Sequence, residues 1–218
     1  MRINMTRRTT MLTIAAMLIF AGLNPPVAPA GSGHEAGHSG HTMPAPDTAQ
    51  QGQAVDIELL DLTLVDQDGR KVRFKSEVIG DRLVIIDTFY TTCDTICPIL
   101  SALFDNLQHK LGNRLGRDVV LVSISVDPGI DIPARIKKYA ARRGAKPGWI
   151  FLTGGKRSVD RVLRGIGAYV RDYTQHAPAI LVGDGRHGGW TRYYEFPSPD
   201  MVLGRLDELR AARLATAN

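Results

Sequence analysis

Cysteine is scarce in this chain: 218 residues contain two, Cys93 and Cys97. A structural zinc site built on four thiolates is therefore excluded. Charge of one sign is scarce as well. The formal net charge of +5 comes from 27 Lys+Arg against 22 Asp+Glu. Three of those basic residues (Arg2, Arg7 and Arg8) lie in residues 1–30, which carry no acid, so the rest of the chain has 24 against 22. A scattered net charge of +2 argues against a nucleic-acid partner. No apolar run reaches the roughly 20 residues of a comfortable membrane span, and no internal repeat is visible. The length allows one substantial core and leaves little for a second domain.

Residues 1–30 have the layout of an export signal. The basic residues Arg2, Arg7 and Arg8 precede the apolar run Met11 to Leu23, and Ala28-Pro29-Ala30 is an A-x-A-like cleavage site. The expectation is an exported protein of the bacterial periplasm, soluble after cleavage or tethered to the inner membrane through residues 11–23 if the signal stays as an anchor. Thr6-Arg7-Arg8 hints at twin-arginine export, but Thr10 and Met11 do not continue that signal, so general secretion is the better reading. No cysteine near the site supports a lipoprotein. Residues 31–54 are rich in Gly, Ala, Pro, Ser and Gln, the composition of a disordered linker. Within it His34, His38, His41 and Met43 form a tract biased toward metal capture, though a solvated linker could carry the same residues.

From about residue 55 to 215 the pattern is that of an α/β domain. Ile57 to Leu64 and Val72-Arg73-Phe74 flank Asp66-Gln67-Asp68-Gly69 and predict a β-hairpin. Leu83-Val84-Ile85-Ile86-Asp87-Thr88-Phe89 predicts a buried strand, and a helix follows from about Pro98 to Leu115 with Leu100, Leu103, Phe104, Leu107 and Leu111 on one face. Val119 to Val126 predicts a second buried strand, then a helix through Ile136 and Tyr139 and a short strand Trp149 to Leu152. Ser158 predicts the cap of a helix reaching Gly165 or Gly167. Ala179 to Val182 and Trp190 to Tyr194 predict two strands, and a last helix runs from about Ser198 to Leu214. This order describes a thioredoxin-like α/β sandwich, with a central mixed sheet flanked by helices and an N-terminal β-hairpin.

Both cysteines fall where the first buried strand turns into a helix. Active groups of open α/β sheets gather at such carboxyl ends of strands, and a helix N-terminus favours thiolate over thiol. Export would place the pair in an oxidising compartment, where Cys93 and Cys97 could close a disulfide. A disulfide across four positions encloses so small a loop that its entropic stabilisation is slight, so the spacing favours chemistry over stapling. Two thiolates at helical spacing suit a soft, low-coordinate ion such as Cu(I), or a borderline ion with an added imidazole, and ligand count favours copper over zinc. The histidines available as a third donor are His109, His176 and His187. His109 lies on the polar side of its helix and His187 at a Gly-rich hairpin tip, both positions of solvated side chains. His176 stands just before the strand Ala179 to Val182, in a loop that a thioredoxin-like topology brings to the cysteine corner.

These residues together resemble the Sco/SenC family of copper-binding thioredoxin-like proteins, which assist assembly of the copper centre of respiratory cytochrome oxidase. The resemblance runs from about Asp56 to Leu209. It is carried by Leu64-Val65-Asp66-Gln67-Asp68-Gly69, by Phe89-Tyr90-Thr91-Thr92-Cys93 with Cys97-Pro98, by Ser123-Ile124-Ser125-Val126-Asp127-Pro128, and by His176 ahead of a strand. It implies that Cys93, Cys97 and His176 are the copper ligands and that a copper-bearing oxidase subunit or another periplasmic copper protein is the partner. Two departures stand out. Many members have Pro and then an acid after the first cysteine, where this chain has Asp94 and Thr95. The family's Asp-Pro-x-Arg-Asp-Thr-Pro appears as Asp127-Pro128-Gly129-Ile130-Asp131-Ile132-Pro133, without its Arg and Thr.

The same thiols fit a second class of function, a periplasmic thiol–disulfide oxidoreductase that keeps a partner's cysteines reduced; His176 would then influence a thiol's pKa. A peroxidase of the peroxiredoxin type is disfavoured, because no Arg partner for a reactive cysteine is visible.

Overall fold

The computed structural model describes residues 52–175 and 177–216. The export signal and the His34–Met43 tract lie outside the described residues. Eight strands form one sheet in the order β1-β8-β7-β4-β5-β6-β2-β3. They are β1 (Gln53–Ala54), β2 (Thr63–Asp66), β3 (Lys71–Arg73), β4 (Leu83–Phe89), β5 (Val119–Ser125), β6 (Trp149–Thr153), β7 (Ala179–Asp184) and β8 (Gly188–Tyr194). The helices are α1 (Ile96–Leu111), α2 (Pro133–Arg142), α3 (Lys156–Gly165) and α4 (Pro199–Thr216).

The centre of the sheet is β4, buried along all seven residues. It pairs in parallel with β5 and antiparallel with β7, and both of its faces are covered, which is why the run reads as continuously apolar. Its alternation sorts the core. Leu83, Ile85 and Phe89 join Leu100, Phe104 and Leu107 of α1, Tyr139 of α2 and Val202 and Leu206 of α4 on one face. Val84 and Ile86 join Phe74, Val159, Val162 and Ile166 on the other. The unit β4-α1-β5 together with β7-β8-α4 is the thioredoxin-like core, extended by β6 beyond β5 and by β2 and β3 beyond that.

Several boundaries differ from the sequence expectation. Gln53 and Ala54, read as linker, pair with Arg192 and Thr191 at the edge of β8; an edge strand is held by backbone hydrogen bonds that its side chains do not announce. Ile57 to Leu62 is not strand, and the pairing near the N-terminus joins only Thr63–Val65 to Lys71–Arg73. Phe74–Ile79 forms a short π-helical turn that buries Phe74, Val78 and Ile79. Helix α1 stops at Leu111 because Gly112 takes φ 52°, a left-handed conformation that suits glycine. Ser158 lies inside α3, whose N-terminus is capped at Gly155; the Gly155 carbonyl accepts the N–H groups of Ser158 and Val159 at 2.9 and 3.1 Å.

Candidate metal centre

The site starts from β4, which delivers the chain at Phe89 to a tight turn. The Cys93 N–H donates to the Tyr90 carbonyl at 3.2 Å, folding Tyr90–Cys93 back before α1 begins at Ile96. Cys93 therefore stands in the loop ahead of the helix, and Cys97 in its first turn. This turn, rather than a shared helical face, brings the two thiols together. The Cys97 N–H, one of the helix's unsatisfied donors, points at Cys93 Sγ at 3.3 Å. Thr95 Oγ1 lies 3.8 Å from the same sulfur. Both cysteines are free thiols and both are buried.

The two thiols are electrostatically unlike. Burial raises Cys93, but hydrogen bonds from Cys97 and Thr95 outweigh it and bring the thiol down to about 7. Burial, and then the Cys93 sulfur beside it, push Cys97 up. The two shifts make Cys93 the more acidic thiol of the pair. Burial also lifts the Tyr90 hydroxyl to about 12, helped by a hydrogen bond with Cys93.

Beneath the turn sits an aromatic layer: the Phe89 ring stacks on Tyr139 at 5.0 Å and meets Phe151 edge-on at 5.4 Å. Tyr139 also bonds Ser101 of α1 at 3.0 Å, tying α2 to the helix that carries Cys97. Asp87, the one acid on β4, is buried, and burial lifts its carboxyl to about 7 against a hydrogen bond from Ser123. The sequence reading gave Asp87 no role.

Asp131, fully buried in the loop after β5, accepts the Thr91 N–H at 3.2 Å and the Thr91 hydroxyl at 2.5 Å, and also the Ser125 hydroxyl at 2.7 Å. Its sequence signal was its place in Asp127–Pro133; what it touches lies 40 residues away.

The candidate third donors separate. His109 sits near the far end of α1, 3.5 Å from Asp105 and 3.3 Å from Lys146 Nζ, away from the thiols. His187 is not merely solvated: its Nδ1 lies 3.3 Å from Asp184 Oδ2, at the opposite end of the sheet. His176 lies outside the described residues. The loop leading to it is described, and there the Tyr173 ring meets the Tyr90 ring of the cysteine turn at 5.2 Å. Among the described residues no group of three or more His, Cys, Asp and Glu could hold a metal ion.

The cysteine end of the sheet is also unusually apolar at its surface. Ile99 on the first turn of α1, Ile130 and Ile132 beside Asp131, and Tyr194 and Phe196 at the end of β8 are all exposed. β7 runs antiparallel to β4, so Ala179 at its start lies toward the cysteine end of β4, and its pairing with Tyr194 places Tyr194 at that end. Among the described residues no helix is long and apolar enough to cross a membrane.

A thioredoxin-like domain with an unequal dithiol at the strand-to-helix corner defines a class of thiol-based redox and soft-metal proteins. Within that class the match is specific: the SCO1/SenC family model covers residues 50–184, and the chain belongs to that family. The SCO1 protein homolog of Bacillus subtilis is 36% identical over 105 residues, 48% of this chain and 53% of that protein. The alignment thus spans about half the length of this curated relative. BsSco, a member of the Sco family of cytochrome c oxidase assembly proteins in which a disulfide switch was identified, superposes with a TM-score of 0.61 at 26% identity, over 73% of this chain and 97% of that one. Bradyrhizobium japonicum ScoI with copper bound shares the fold with a TM-score of 0.57 at 23% identity, over 72% of this chain and 98% of that one.

Proposed function

We propose that this protein is an exported copper carrier that holds one copper ion, its cargo, through Cys93, Cys97 and His176 and passes it to a copper-bearing subunit of cytochrome c oxidase. The observation that carries the reading is the dithiol corner itself, with Cys97 N–H directed at Cys93 Sγ at 3.3 Å in a family member. A thiol lowered to about 7 beside one held high gives a stepwise donor pair: the first binds as thiolate, the second surrenders its proton to the arriving cation. Two soft sulfurs and one imidazole leave a copper ion under-coordinated, so a competing ligand from a partner can attack it. Family membership and the copper-bound ScoI neighbour support the choice of ion. The contact between Tyr90 and Tyr173 supports His176, because it joins the cysteine turn to the loop ending three residues before that histidine. The exposed isoleucines, Tyr194 and Phe196 around the site supply apolar surface that a partner would cover. The Arg7, Arg8, Met11–Leu23 and Ala28–Ala30 pattern supports export to the periplasm.

The test is a titration of the reduced chain with Cu(I) against a competing chelator, run on wild type, His176→Ala and the Cys93→Ser/Cys97→Ser double variant. One-to-one binding that weakens in the first variant and disappears in the second is the expected result. Weak copper binding throughout, combined with rapid reduction of partner disulfides, would replace the carrier with a thiol–disulfide oxidoreductase.

A further inference from the structure

Helix α2 and the turn after it concentrate a charge that the near-neutral total hides. Residues 133–146 hold six basic side chains, Arg135, Lys137, Lys138, Arg142, Arg143 and Lys146, and no acid. With those six set aside, residues 31–218 have 18 Lys+Arg against 22 Asp+Glu, so a positive helix sits in an otherwise acidic chain. Ile136, Tyr139 and Ala140 form the buried face of α2, and the 3–4 spacing of Arg135, Lys138 and Arg142 puts those three exposed cations in one row along it. Of the six, Lys137 alone has a carboxylate partner among the described residues, Asp68 at 3.0 Å. The row starts at the thiol end of the domain. Ile132 is the N-cap of α2, and Ile130 and Ile132 keep 52% or slightly less of their surface in solvent, too much for core residues. They flank Asp131, whose carboxylate accepts the N–H of Thr91, two residues before Cys93. Two unpartnered isoleucines beside the thiols thus lead straight into the row of cations, which runs roughly 10 Å along the helix at about 1.5 Å per residue.

We infer that Ile130, Ile132 and the row Arg135, Lys138 and Arg142 form the docking surface for an acidic face of a protein, the copper acceptor proposed above. The isoleucines supply the patch that is dried on contact, and the cations supply a charged rim that steers the approach and fixes orientation. A lipid surface would attract the same cations, but a bilayer laid along this row would cover the thiol corner from which the acceptor must take its ion. Helix α3 is also basic, with Lys156, Arg157, Arg161 and Arg164 against Asp160, but its buried residues pack on the other face of the sheet. The inference rests on the reading that the thiol corner meets a protein acceptor, and it adds which surface meets it and what charge the partner carries.

The experiment measures, by surface plasmon resonance at low and high salt, binding of the reduced full chain to the purified soluble domain of the copper-bearing oxidase subunit from the same organism. The variants are Arg135→Glu/Lys138→Glu, Ile130→Ser/Ile132→Ser and, as a charge-matched control on α3, Arg157→Glu/Arg161→Glu. The expected result is that wild-type association slows as salt rises, and that at low salt Arg135→Glu/Lys138→Glu associates about tenfold more slowly while the control changes little. Ile130→Ser/Ile132→Ser raises the dissociation rate and leaves the salt dependence in place. All three variants take up Cu(I) against a chelator as wild type does, so lost docking is read apart from lost copper binding. If the chain takes up no Cu(I), the carrier reading fails while the docking rates still decide the inference. No binding of the domain by wild type, an unchanged association rate in Arg135→Glu/Lys138→Glu, or equal slowing in the α3 control overturns the inference. So does a loss of binding to vesicles of phosphatidylglycerol and phosphatidylcholine in Arg135→Glu/Lys138→Glu with binding to the domain intact, which assigns the row to a lipid surface.

Discussion

The Cys97 N–H lies 3.3 Å from Cys93 Sγ, so the first turn of α1 donates to a sulfur that is not part of the helix. That hydrogen bond, together with the one between the two thiol side chains and the deeper burial of Cys97, makes the thiols chemically unequal and predicts selective chemistry. At pH 7 iodoacetamide should modify Cys93 well before Cys97, and peptide mass spectrometry would resolve the two. Cys97→Ser should leave the backbone donor in place and shift Cys93 only modestly.

Asp87 predicts an inverted pH dependence of stability. Burial raises its carboxyl from 3.8 to about 7 in the folded chain, so between those values the native state keeps a proton that the unfolded chain has lost. The unfolded state binds fewer protons there, and this group's contribution falls as pH rises from about 4 to 7. A gap of about three pH units corresponds to about 4 kcal/mol. Asp87→Asn should therefore be more stable than wild type in urea at pH 8, with the advantage gone at pH 4.

Asp184 predicts the opposite sign. It is buried, and although burial raises its carboxyl, a two-point ion pair with Arg213 at 2.6 Å and N–H bonds from Arg186 and His187 hold it well below the usual range. That contribution is fully present above the ordinary carboxylate pKa and is lost as pH falls from there through the lowered value of the folded chain. Arg213→Met leaves the buried charge unpaired and should cost about 3 kcal/mol at pH 7 by urea denaturation. Asp184 lies at the opposite end of the sheet from the thiols, so the Cys93 alkylation midpoint should not move.

Phe89 joins core to site, because it ends β4 just before the cysteine turn and packs on Tyr139 and Phe151. Phe89→Ala should cost about 3–4 kcal/mol in thermal or urea unfolding. It should also speed alkylation of Cys97, whose burial depends on the same cluster.

Much of this was readable in advance. The buried strands β4 and β5 announced themselves by β-branched runs, α1 by its 3–4 spacing, and the corner by two cysteines and a proline. What could not be read has two causes: partners distant in the chain, and local turns that residue spacing does not encode. Gln53 and Ala54 become strand only because β8 offers an open edge. Asp131 becomes part of the site only because β5 ends beside the turn at Thr91, 40 residues earlier. His187 stays exposed as expected but also sits beside Asp184, and Cys93 sits off the helix because Tyr90 closes a turn that spacing alone does not encode. Ser158 had the right chemistry for a cap, but Gly155 reached the position first.

The most direct test of the central claim is X-ray absorption on the Cu(I)-loaded reduced chain. The account predicts two sulfur scatterers and one nitrogen scatterer around copper, with the nitrogen lost in His176→Ala and copper uptake abolished in Cys93→Ser/Cys97→Ser. An unaltered copper shell in His176→Ala, or full copper uptake by the double cysteine variant, would contradict it.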